Sequence, residues 1–219
     1  MGKVSVVVKI HAPRLLIATH NKGKLGEYID ILSERWSNLL TLNEAGIVED
    51  VPETGSTFLE NAILKAVAYS RQANLYTLAD DSGLEVDALG GRPGVLTARY
   101  GGPGLSAADR YRLLLDALTA VPEGQRGARF RCAIVLAGPD GTILGTAEGV
   151  CEGVIAPAPS GIGGFGYDPI FYLPDYGLTT AELPAVEKHR ISHRGRAVQA
   201  IRPLLEQLWP SSPSDRPTN

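Results

Sequence analysis

Two consecutive aspartates, Asp80 and Asp81, constrain the fold of this chain more than any other feature of the sequence. They follow the apolar run 75–79, which is typical of a short buried strand, so the strand is predicted to end at the two carboxylates and the backbone to turn at Gly83. α/β proteins place their chemistry at such strand ends. The pattern therefore predicts an α/β fold with a polar site here, although an acidic surface turn has the same local sequence.

The segment before this strand predicts a helix that brings more charged groups to the aspartates. Thr57 and Glu60 have the spacing of a capping box, so a helix is expected to begin near Thr57. Asn61 and Lys65 lie one turn apart on its polar side, and Glu53 precedes it. A few carboxylates beside a lysine suit Mg²⁺ bound to a phosphate chain, whereas the alternative is a solvated helix face. The face predicted to pack inward consists of Leu59, Ile63, Ala66, Val67 and Ser70.

The composition indicates a globular protein without a bulk electrostatic partner. The 219 residues include 21 basic and 24 acidic side chains, and the net charge of −3 predicts neither nucleic-acid binding nor attraction to a membrane. We expect a single domain over residues 14–209, an N-terminal arm or extra edge strand over 1–13 and a disordered tail over 210–219. Cys132 and Cys151 are expected to be buried free thiols, and the protein is expected to be cytoplasmic.

A strand, a polar turn and a helix begin the folded part of the chain and predict an anion-binding site. The apolar run 14–19 leads into the turn, and Leu25, Tyr28, Ile29 and Leu32 then recur at helical spacing. Free N–H groups and the dipole at such a helix start attract anions. The glycine spacing of a Walker loop is missing, and an ordinary turn with solvated lysines has the same pattern. The turn consists of Thr19, His20, Asn21, Lys22, Gly23 and Lys24.

The middle of the chain predicts an antiparallel addition to this parallel start. The strand-like runs 130–137 and 142–150 flank a turn at 139–141, which is typical of a hairpin. Together with a strand over 38–42 and a helix capped by Ser106, the hairpin predicts a mixed sheet with helices packed around it.

A glycine-rich loop over residues 160–169 surrounds Phe165, Tyr167 and Asp168. Glycines on both sides of an aromatic residue allow its ring to lie flat against a planar ligand, and stacking on a base contributes ~1–3 kcal/mol. The alternative is a flexible loop with an aromatic anchor in the core. The loop is therefore a candidate base-binding element.

The C-terminal part predicts two helices with cations at unusual places. Thr180 is expected to begin a polar helix with Lys188 near its end, and Pro203 is expected to bend or interrupt the final helix. His193 and Arg194 lie at the start of that helix, where cations oppose the helix dipole. This placement favours a ligand-binding role, and an arginine there can donate to a carbonyl oxygen or an anion.

Taken together, these motifs resemble a known family, the inosine triphosphate pyrophosphatases, also described as noncanonical purine nucleoside triphosphate pyrophosphatases. The resemblance extends from about residue 15 to about residue 208. Any single motif is weak evidence, but all of them in the same order are highly specific. The motifs are 18–24, 53–62 with Lys65, 79–83, 98–100, 163–169 and 191–195.

The resemblance implies an elongated mixed β-sheet with flanking helices, two lobes around a central cleft, and a homodimer. It implies Mg²⁺-dependent hydrolysis of ITP, dITP or XTP between the α and β phosphates, which gives the monophosphate and pyrophosphate. Glu53 and Asp81 would hold Mg²⁺, and Asp81 would accept the proton of the attacking water with Asp80 as its helper. Because a carboxylate bonded to Mg²⁺ is a poor base, the division of roles between the aspartates stays open.

The resemblance also assigns the remaining site residues. Donors aimed at a 6-keto oxygen would accept hypoxanthine or xanthine and disfavour the 6-amino group of adenine. His20 occupies a position where the family commonly has a small residue. The triphosphate would be held by Thr19, His20, Asn21, Lys22, Gly23, Lys24, Lys65 and Ser82. The base would be stacked, enclosed or read by Phe165, Gly166, Tyr167, Asp168, Lys188, His193 and Arg194.

Three other readings follow from the same sequence. A related pyrophosphatase acting on modified pyrimidine or methylated nucleotides would share the metal and phosphate chemistry. A nucleotide-binding sensor without turnover would need the turn and the aromatic loop, but it would not need so many charges in one place. A nucleic-acid-binding protein is least favoured, because no basic stripe accompanies the aromatic residues.

Overall fold

The computed structural model describes residues 14–33 and 35–209, which form a seven-stranded mixed sheet with helices packed on it. The predicted fold class is confirmed, whereas the predicted arm over 1–13 and tail over 210–219 lie outside the described residues. The strands are β1 (Leu15–Ile17), β2 (Leu39–Thr41), β3 (Tyr76–Val86), β4 (Gly127–Ala137), β5 (Ile143–Ile155), β6 (Phe171–Leu173) and β7 (Leu178–Thr179). The helices are α1 (Lys22–Leu32), α2 (Phe58–Ala73), α3 (Ala107–Ala117), α4 (Ala185–Ile191) and α5 (His193–Leu208).

The sheet combines parallel and antiparallel pairing in the order β2-β1-β3-β4-β5-β6-β7. β1 is parallel to both β2 and β3, because α1 and α2 supply the crossovers that parallel neighbours require. The pairs from β3 to β7 are antiparallel. The predicted hairpin is formed by β4 and β5, and its turn is closed by the Gly138 N–H, which donates to the Thr142 carbonyl at 2.8 Å.

Strand β3 does not end at the aspartates, so that prediction was wrong. Its parallel pairing with β1 ends at Leu78, but its antiparallel pairing with β4 continues to the end of the strand. Asp80 and Asp81 therefore lie within β3, just beyond the end of its β1 neighbour. Gly83 is not in a turn either; a Cβ at this position would lie 2.6 Å from the carbonyl oxygen of Gly94, so glycine permits a close approach of two backbone segments.

Three hydrophobic clusters surround the sheet and place the aspartates between two halves of the core. One cluster covers the face of β1, β3 and β4 that packs on α1 and α5, and a second covers the opposite face under α2. A third lies further along β3 and includes Leu84 together with residues of α3 and β6. Ala79 belongs to the cluster under α2, and Leu84 belongs to the third cluster. Asp80 and Asp81 therefore lie at the boundary between one lobe, around β1 and α2, and the other, around α3 and β6.

Helix α2 begins where its capping box predicts, but its buried face differs from the prediction. The Thr57 side chain accepts the N–H of Glu60, and the Glu60 side chain accepts the N–H of Thr57. Leu59, Ile63 and Val67 are only partly buried, because the helix is rotated so that polar Asn61 faces the interior. The buried positions are Phe58, Asn61, Ala62, Ala66, Tyr69 and Ser70.

The prediction of a helix start at Thr180 was wrong, and Pro203 does not interrupt the final helix. Residues 180–183 form turns, and α4 begins only at Ala185, because the Thr180 hydroxyl donates to the Asp168 carboxylate at 2.9 Å instead of capping a helix. Helix α5 continues through Pro203, which is exposed, while Ile201 and Leu205 hold the helix against the core.

The two cysteines have the state that the sequence predicts. Cys132 and Cys151 are free thiols and both are buried, as predicted. Burial, followed by the charge of Asp80, raises the pKa of Cys132 to about 12, so this thiol is kept neutral.

Within residues 14–33 and 35–209, no helix combines the length and the apolar character needed to cross a bilayer.

Candidate active site

The turn between β1 and α1 presents a capped helix N-terminus. The Asn21 side chain accepts the N–H groups of Gly23 and Lys24 at 2.9 and 3.1 Å, and the Thr19 hydroxyl accepts the Asn21 N–H at 3.2 Å. These bonds fix the turn and orient α1, whose dipole favours negative charge at this end. A Cβ on Gly23 would lie 2.5 Å from the Phe165 ring, so glycine allows that ring to rest on the turn.

The two lysines of the turn point to different places. Lys22 is exposed, whereas Lys24 is largely buried and its Nζ lies 3.1 Å from Asp80 Oδ2 and 3.9 Å from Asp81 Oδ1. Lys24 therefore joins the turn between β1 and α1 to the aspartate pair. His20, which belongs to the same turn, lies beside Asp50, and its Nε2 is 3.7 Å from a carboxylate oxygen of that residue.

We expect Lys24 and Lys22 to contribute unequally to catalysis. Lys24→Met should lower kcat/KM for a nucleoside triphosphate, the substrate class that the family resemblance implies, by about 100-fold, the loss expected for one buried donor that stabilises developing charge. Lys22→Met should lower it by less than about threefold, because an exposed charge is screened. Steady-state kinetics of both variants measure the difference, and equal losses would contradict the assignment.

Asp80 is a buried charge surrounded by cations. Besides Lys24, Arg194 approaches its Oδ2 at 3.4 Å, and the residue is 1% exposed. Burial raises the pKa of Asp80, but Lys24, Arg194 and Lys65 together hold it well below its usual range, so the carboxylate is ionised. Its other oxygen, Oδ1, is buried without a hydrogen-bond partner among residues 14–33 and 35–209.

Asp81 has the opposite orientation and lines the cleft. Asn61 Nδ2 donates to its Oδ2 at 3.0 Å, and the N–H of Ser82 donates to its Oδ1 at 2.9 Å. Burial raises the pKa of Asp81, and Lys65 and Lys24 only partly offset that effect. The two neighbouring carboxylates are both buried but differ, since Asp80 is enclosed by cations and Asp81 contributes to the lining of the cleft.

Lys65 of α2 connects Glu53 to the aspartates. Its Nζ lies 2.7 Å from Glu53 Oε1 and 3.7 Å from Asp81 Oδ1. Burial lowers the pKa of Lys65, but Asp80, Asp81 and Glu53 raise it above its usual value overall, so the side chain stays protonated. Arg99 lies 3.4 Å from the second oxygen of Glu53. The structure therefore brings Glu53, Lys65 and both aspartates together.

The donor atoms here suit a hard cation that is held jointly with a ligand. Glu53 and Asp81 offer carboxylate oxygens in the cleft, which Mg²⁺ prefers over nitrogen or sulfur. In the described part of the chain, no three histidine, cysteine or acidic side chains are grouped as a complete metal site. Glu53 and Asp81 are the residues that could hold such a cation, with its other positions left to water or ligand oxygens.

The glycine-rich loop holds Phe165 over the cleft by means of Asp168. The Phe165 N–H donates to Asp168 Oδ2 at 2.7 Å, and Lys188 Nζ contacts the same oxygen at 2.5 Å. Gly166 has a φ of +63°, which lets the chain reverse after the ring. Tyr167 is buried, and its hydroxyl donates to the Thr97 carbonyl at 3.1 Å. Tyr167 thus anchors the loop in the core, while Phe165 lines the cleft.

The residues at the start of α5 form the floor of the cleft. Arg194 is 1% exposed; it pairs with Glu27 and Asp80, and its Nη2 donates to Ser82 Oγ at 2.9 Å. The guanidinium therefore joins carboxylates instead of projecting freely. The His193 ring stacks on Phe130 at 4.8 Å, and burial followed by the Arg194 charge lowers the His193 pKa well below its usual value, so the imidazole is neutral.

Glu27 is a site residue that the sequence pattern did not indicate. One of its oxygens lies 2.7 Å from Lys188 Nζ, and the other pairs with Arg194. Burial raises the pKa of Glu27, but Arg194 and Lys188 more than offset this, so the net shift is downward. A helical glutamate is normally exposed, so nothing in the sequence distinguished this one.

These elements enclose a cleft of about 810 Å³ between the two lobes. Lys22, Gly23 and Asp80 are the predicted site residues that do not contribute to its described lining. The predicted residues that line the cleft are Thr19, His20, Asn21, Lys24, Glu53, Lys65, Asp81, Ser82, Phe165, Gly166, Tyr167, Asp168, Lys188, His193 and Arg194. Lining residues not assigned to the site from the sequence include Glu27, Tyr69, Thr97, Arg99 and Arg110.

A mixed sheet whose cleft combines a helix N-terminus, buried lysines and paired carboxylates beside an aromatic ring is typical of enzymes that hydrolyse nucleoside triphosphates. Comparison with known proteins identifies the particular family. The chain belongs to the Ham1 family, whose model matches residues 15–204.

Relatives and solved structures agree with this membership. The chain is 48% identical over 194 residues to the dITP/XTP pyrophosphatase of Geobacillus kaustophilus, which covers 89% of this chain and 95% of that one, and 47% identical over 191 residues to that of Bacillus subtilis, with 87% and 96% covered. A HAM1 protein structure from Coxiella burnetii superimposes with a TM-score of 0.80 at 41% identity and covers 89% of this chain and 99% of that one. These similarities confirm the predicted family and enzyme class, a nucleoside triphosphate pyrophosphatase.

Proposed function

We propose that this chain hydrolyses the noncanonical purine nucleoside triphosphates dITP, ITP and XTP to the monophosphate and pyrophosphate, with Mg²⁺ as cofactor. The observation that carries the proposal is the placement of Asp81, which lines the cleft between Lys24 and Lys65. The names of the relatives, dITP/XTP pyrophosphatases, support the substrate class.

In this proposal the start of α1 and the two buried lysines bind the triphosphate. The backbone N–H groups and dipole of α1 attract its oxygens, and Lys24 and Lys65 balance their charge. Glu53 and Asp81 would hold Mg²⁺, which supplies charge neutralisation and a more acidic water when bound. Asp80 contributes indirectly, because its ionised carboxylate keeps Lys24 and Arg194 in place.

The reaction is an attack by water on the α phosphorus. A bond forms between the water oxygen and the α phosphorus, the bond between that phosphorus and the bridging α–β oxygen breaks, and pyrophosphate leaves. We assign the acceptance of the water's proton to Asp81 as well, because Asp81 lines the cleft whereas Asp80 is enclosed by cations, although a bond to Mg²⁺ would make Asp81 a weaker base. Lys65 faces both Glu53 and Asp81, so it is placed to stabilise charge that grows on the leaving group.

The purine is placed against Phe165, with its polar edge toward the cations of α4 and α5. Lys188 Nζ lies 5.2 Å from the centre of the Phe165 ring, and the Arg194 guanidinium carbon lies 5.8 Å from it. In this proposal the polar edge of the base draws on Lys188 and Arg194 although both cations are paired with carboxylates in the structure. A 6-keto oxygen accepts from such donors, whereas the 6-amino group of adenine leaves donors on both sides unpaired.

If the base stacks on Phe165, replacement of the ring should weaken substrate binding. Phe165→Ala should raise KM for dITP by about 10-fold or more, in line with ~1–3 kcal/mol per stacked base. Phe165→Tyr should restore most of the affinity because it keeps the aromatic face. Steady-state kinetics measure both variants, and an unchanged KM in Phe165→Ala would show that the ring serves only to cover the turn.

The substrate class is tested with a panel of triphosphates. We expect kcat/KM for dITP and XTP to exceed that for dATP, dCTP and dUTP by at least about 100-fold, since an unpaired donor in a closed site costs several kcal/mol. Comparable turnover of a pyrimidine or methylated triphosphate would instead favour the related pyrophosphatase. Binding of all the nucleotides without turnover would favour a sensor.

We extend the proposal to the assembly and place of the enzyme. The family resemblance implies a homodimer, and the sequence is expected to belong to a cytoplasmic protein. Sedimentation of the purified protein measures the first point, with a species of about twice the 23.3 kDa chain mass expected. A monomer across micromolar concentrations would contradict it.

A further inference from the structure

Asn61 of α2 contacts two separate parts of the cleft with a single side chain. It is 0% exposed. Its Oδ1 accepts the N–H of Gly55 at 2.8 Å, and its Nδ2 donates to Asp81 Oδ2 at 3.0 Å. Gly55 lies two residues after Glu53. One buried amide therefore links the segment that carries Glu53 to the carboxylate of Asp81.

We infer that Asn61 is a positioning residue that fixes Glu53 and Asp81 relative to each other for joint binding of Mg²⁺. This inference rests on the proposed function and adds a residue to it. An amide has an acceptor and a donor at the same end, and here each faces its complement, a backbone N–H and a carboxylate. Aspartate would serve only the N–H, and leucine would serve neither.

The surrounding contacts make this link rigid. A Cβ on Gly55 would lie 2.6 Å from the Cβ of Glu60 and 2.8 Å from Asn61 Oδ1, so only glycine lets the segment lie this close to α2. On the other side, Asn61 occupies Oδ2 of Asp81, while the Ser82 N–H binds Oδ1. Both oxygens of the Asp81 carboxylate thus accept a hydrogen bond, and Oδ1 also faces Lys24 and Lys65.

The test compares two replacements of Asn61 with a control on the same helix. Asn61→Leu keeps much of the volume and removes both hydrogen bonds, and Asn61→Asp keeps the acceptor for Gly55 but places a carboxylate against Asp81. Ser70→Gly weakens α2 at a buried position outside the described lining of the cleft. For each variant we would measure Tm, kcat for dITP, and Mg²⁺ affinity by calorimetry with a non-hydrolysable dITP analogue bound.

We expect kcat to fall about 10- to 100-fold in both Asn61 variants, and Mg²⁺ affinity to fall by at least about 10-fold in Asn61→Leu, the usual cost of losing a residue that orients metal ligands. Ser70→Gly should lower Tm but keep kcat and affinity within about twofold. If Asn61→Leu does not fold, Asn61→Asp decides by its kcat. Folded Asn61 variants with native kcat and affinity would overturn the inference alone, whereas a wild type that binds no Mg²⁺ would overturn the proposed function with it.

Discussion

Asp81→Asn is expected to lower kcat for dITP by about 1000-fold, while KM changes by only a few-fold. Asparagine keeps the size of the side chain but cannot accept a proton from water, and proton transfer by a positioned group contributes about 10²–10⁴-fold. It also removes a negative charge that would help to hold Mg²⁺. Stopped-time assays of pyrophosphate release over several hours would measure the residual rate.

A carboxylate on the same strand provides the control for Asp81. Glu85 lies in β3 four residues further on and faces Arg129 and Arg131 at 4.0 and 3.9 Å, outside the described lining of the cleft. Glu85→Gln should leave kcat within about twofold, because partly exposed ion pairs at such long distances contribute little. Equal losses in Asp81→Asn and Glu85→Gln would show that charge on β3, and not the position of Asp81, is required.

Lys65→Ala is expected to lower kcat by about 100-fold with less than about a fivefold rise in KM. Lys65 faces both Glu53 and Asp81, so its charge lies where negative charge grows as pyrophosphate leaves, and the loss of one such donor typically costs about 10²–10³ in kcat. Arg71→Ala, on the same helix but bonded to the Asp140 carbonyl, should have little effect. Full kinetic curves separate kcat from KM.

The two kinetic constants distinguish between roles for this lysine. A fall in kcat means that Lys65 interacts more strongly with the transition state than with the bound substrate. A rise in KM with an unchanged kcat would mean that it binds both states equally. In that case Lys24 would be the better candidate for stabilising the leaving group.

Local sequence signals predicted the parts of the fold that depend on local physics. The capping box of Thr57 involves residues within one helical turn, so the start of α2 followed from spacing alone, and the apolar periodicity after the first turn predicted that α1 exists. The end of β3 did not follow, because it depends on which neighbouring strand continues. β4 lies about 50 residues further along the chain and extends β3 past the point where β1 ends.

The buried polar residues show a second limit of sequence patterns. Periodicity assigns polar side chains to the exposed face, so Asn61 was placed outside and Glu27 was not selected. Both are buried because their partners come from distant segments: Asn61 binds Asp81, and Glu27 pairs with Lys188 and Arg194. Such polar and charged groups become acceptable inside a protein only once the fold has assembled the complementary groups.

The most direct test of the proposed reaction identifies the products formed from dITP. Anion-exchange chromatography of the reaction mixture, with Mg²⁺ or with EDTA, separates dIMP, dIDP, pyrophosphate and phosphate. The structure and the proposed roles of Asp81 and Lys65 predict dIMP and pyrophosphate in equal amounts with Mg²⁺ and no turnover with EDTA. Release of dIDP and phosphate, equal turnover in EDTA, or binding without any product would contradict the proposed reaction.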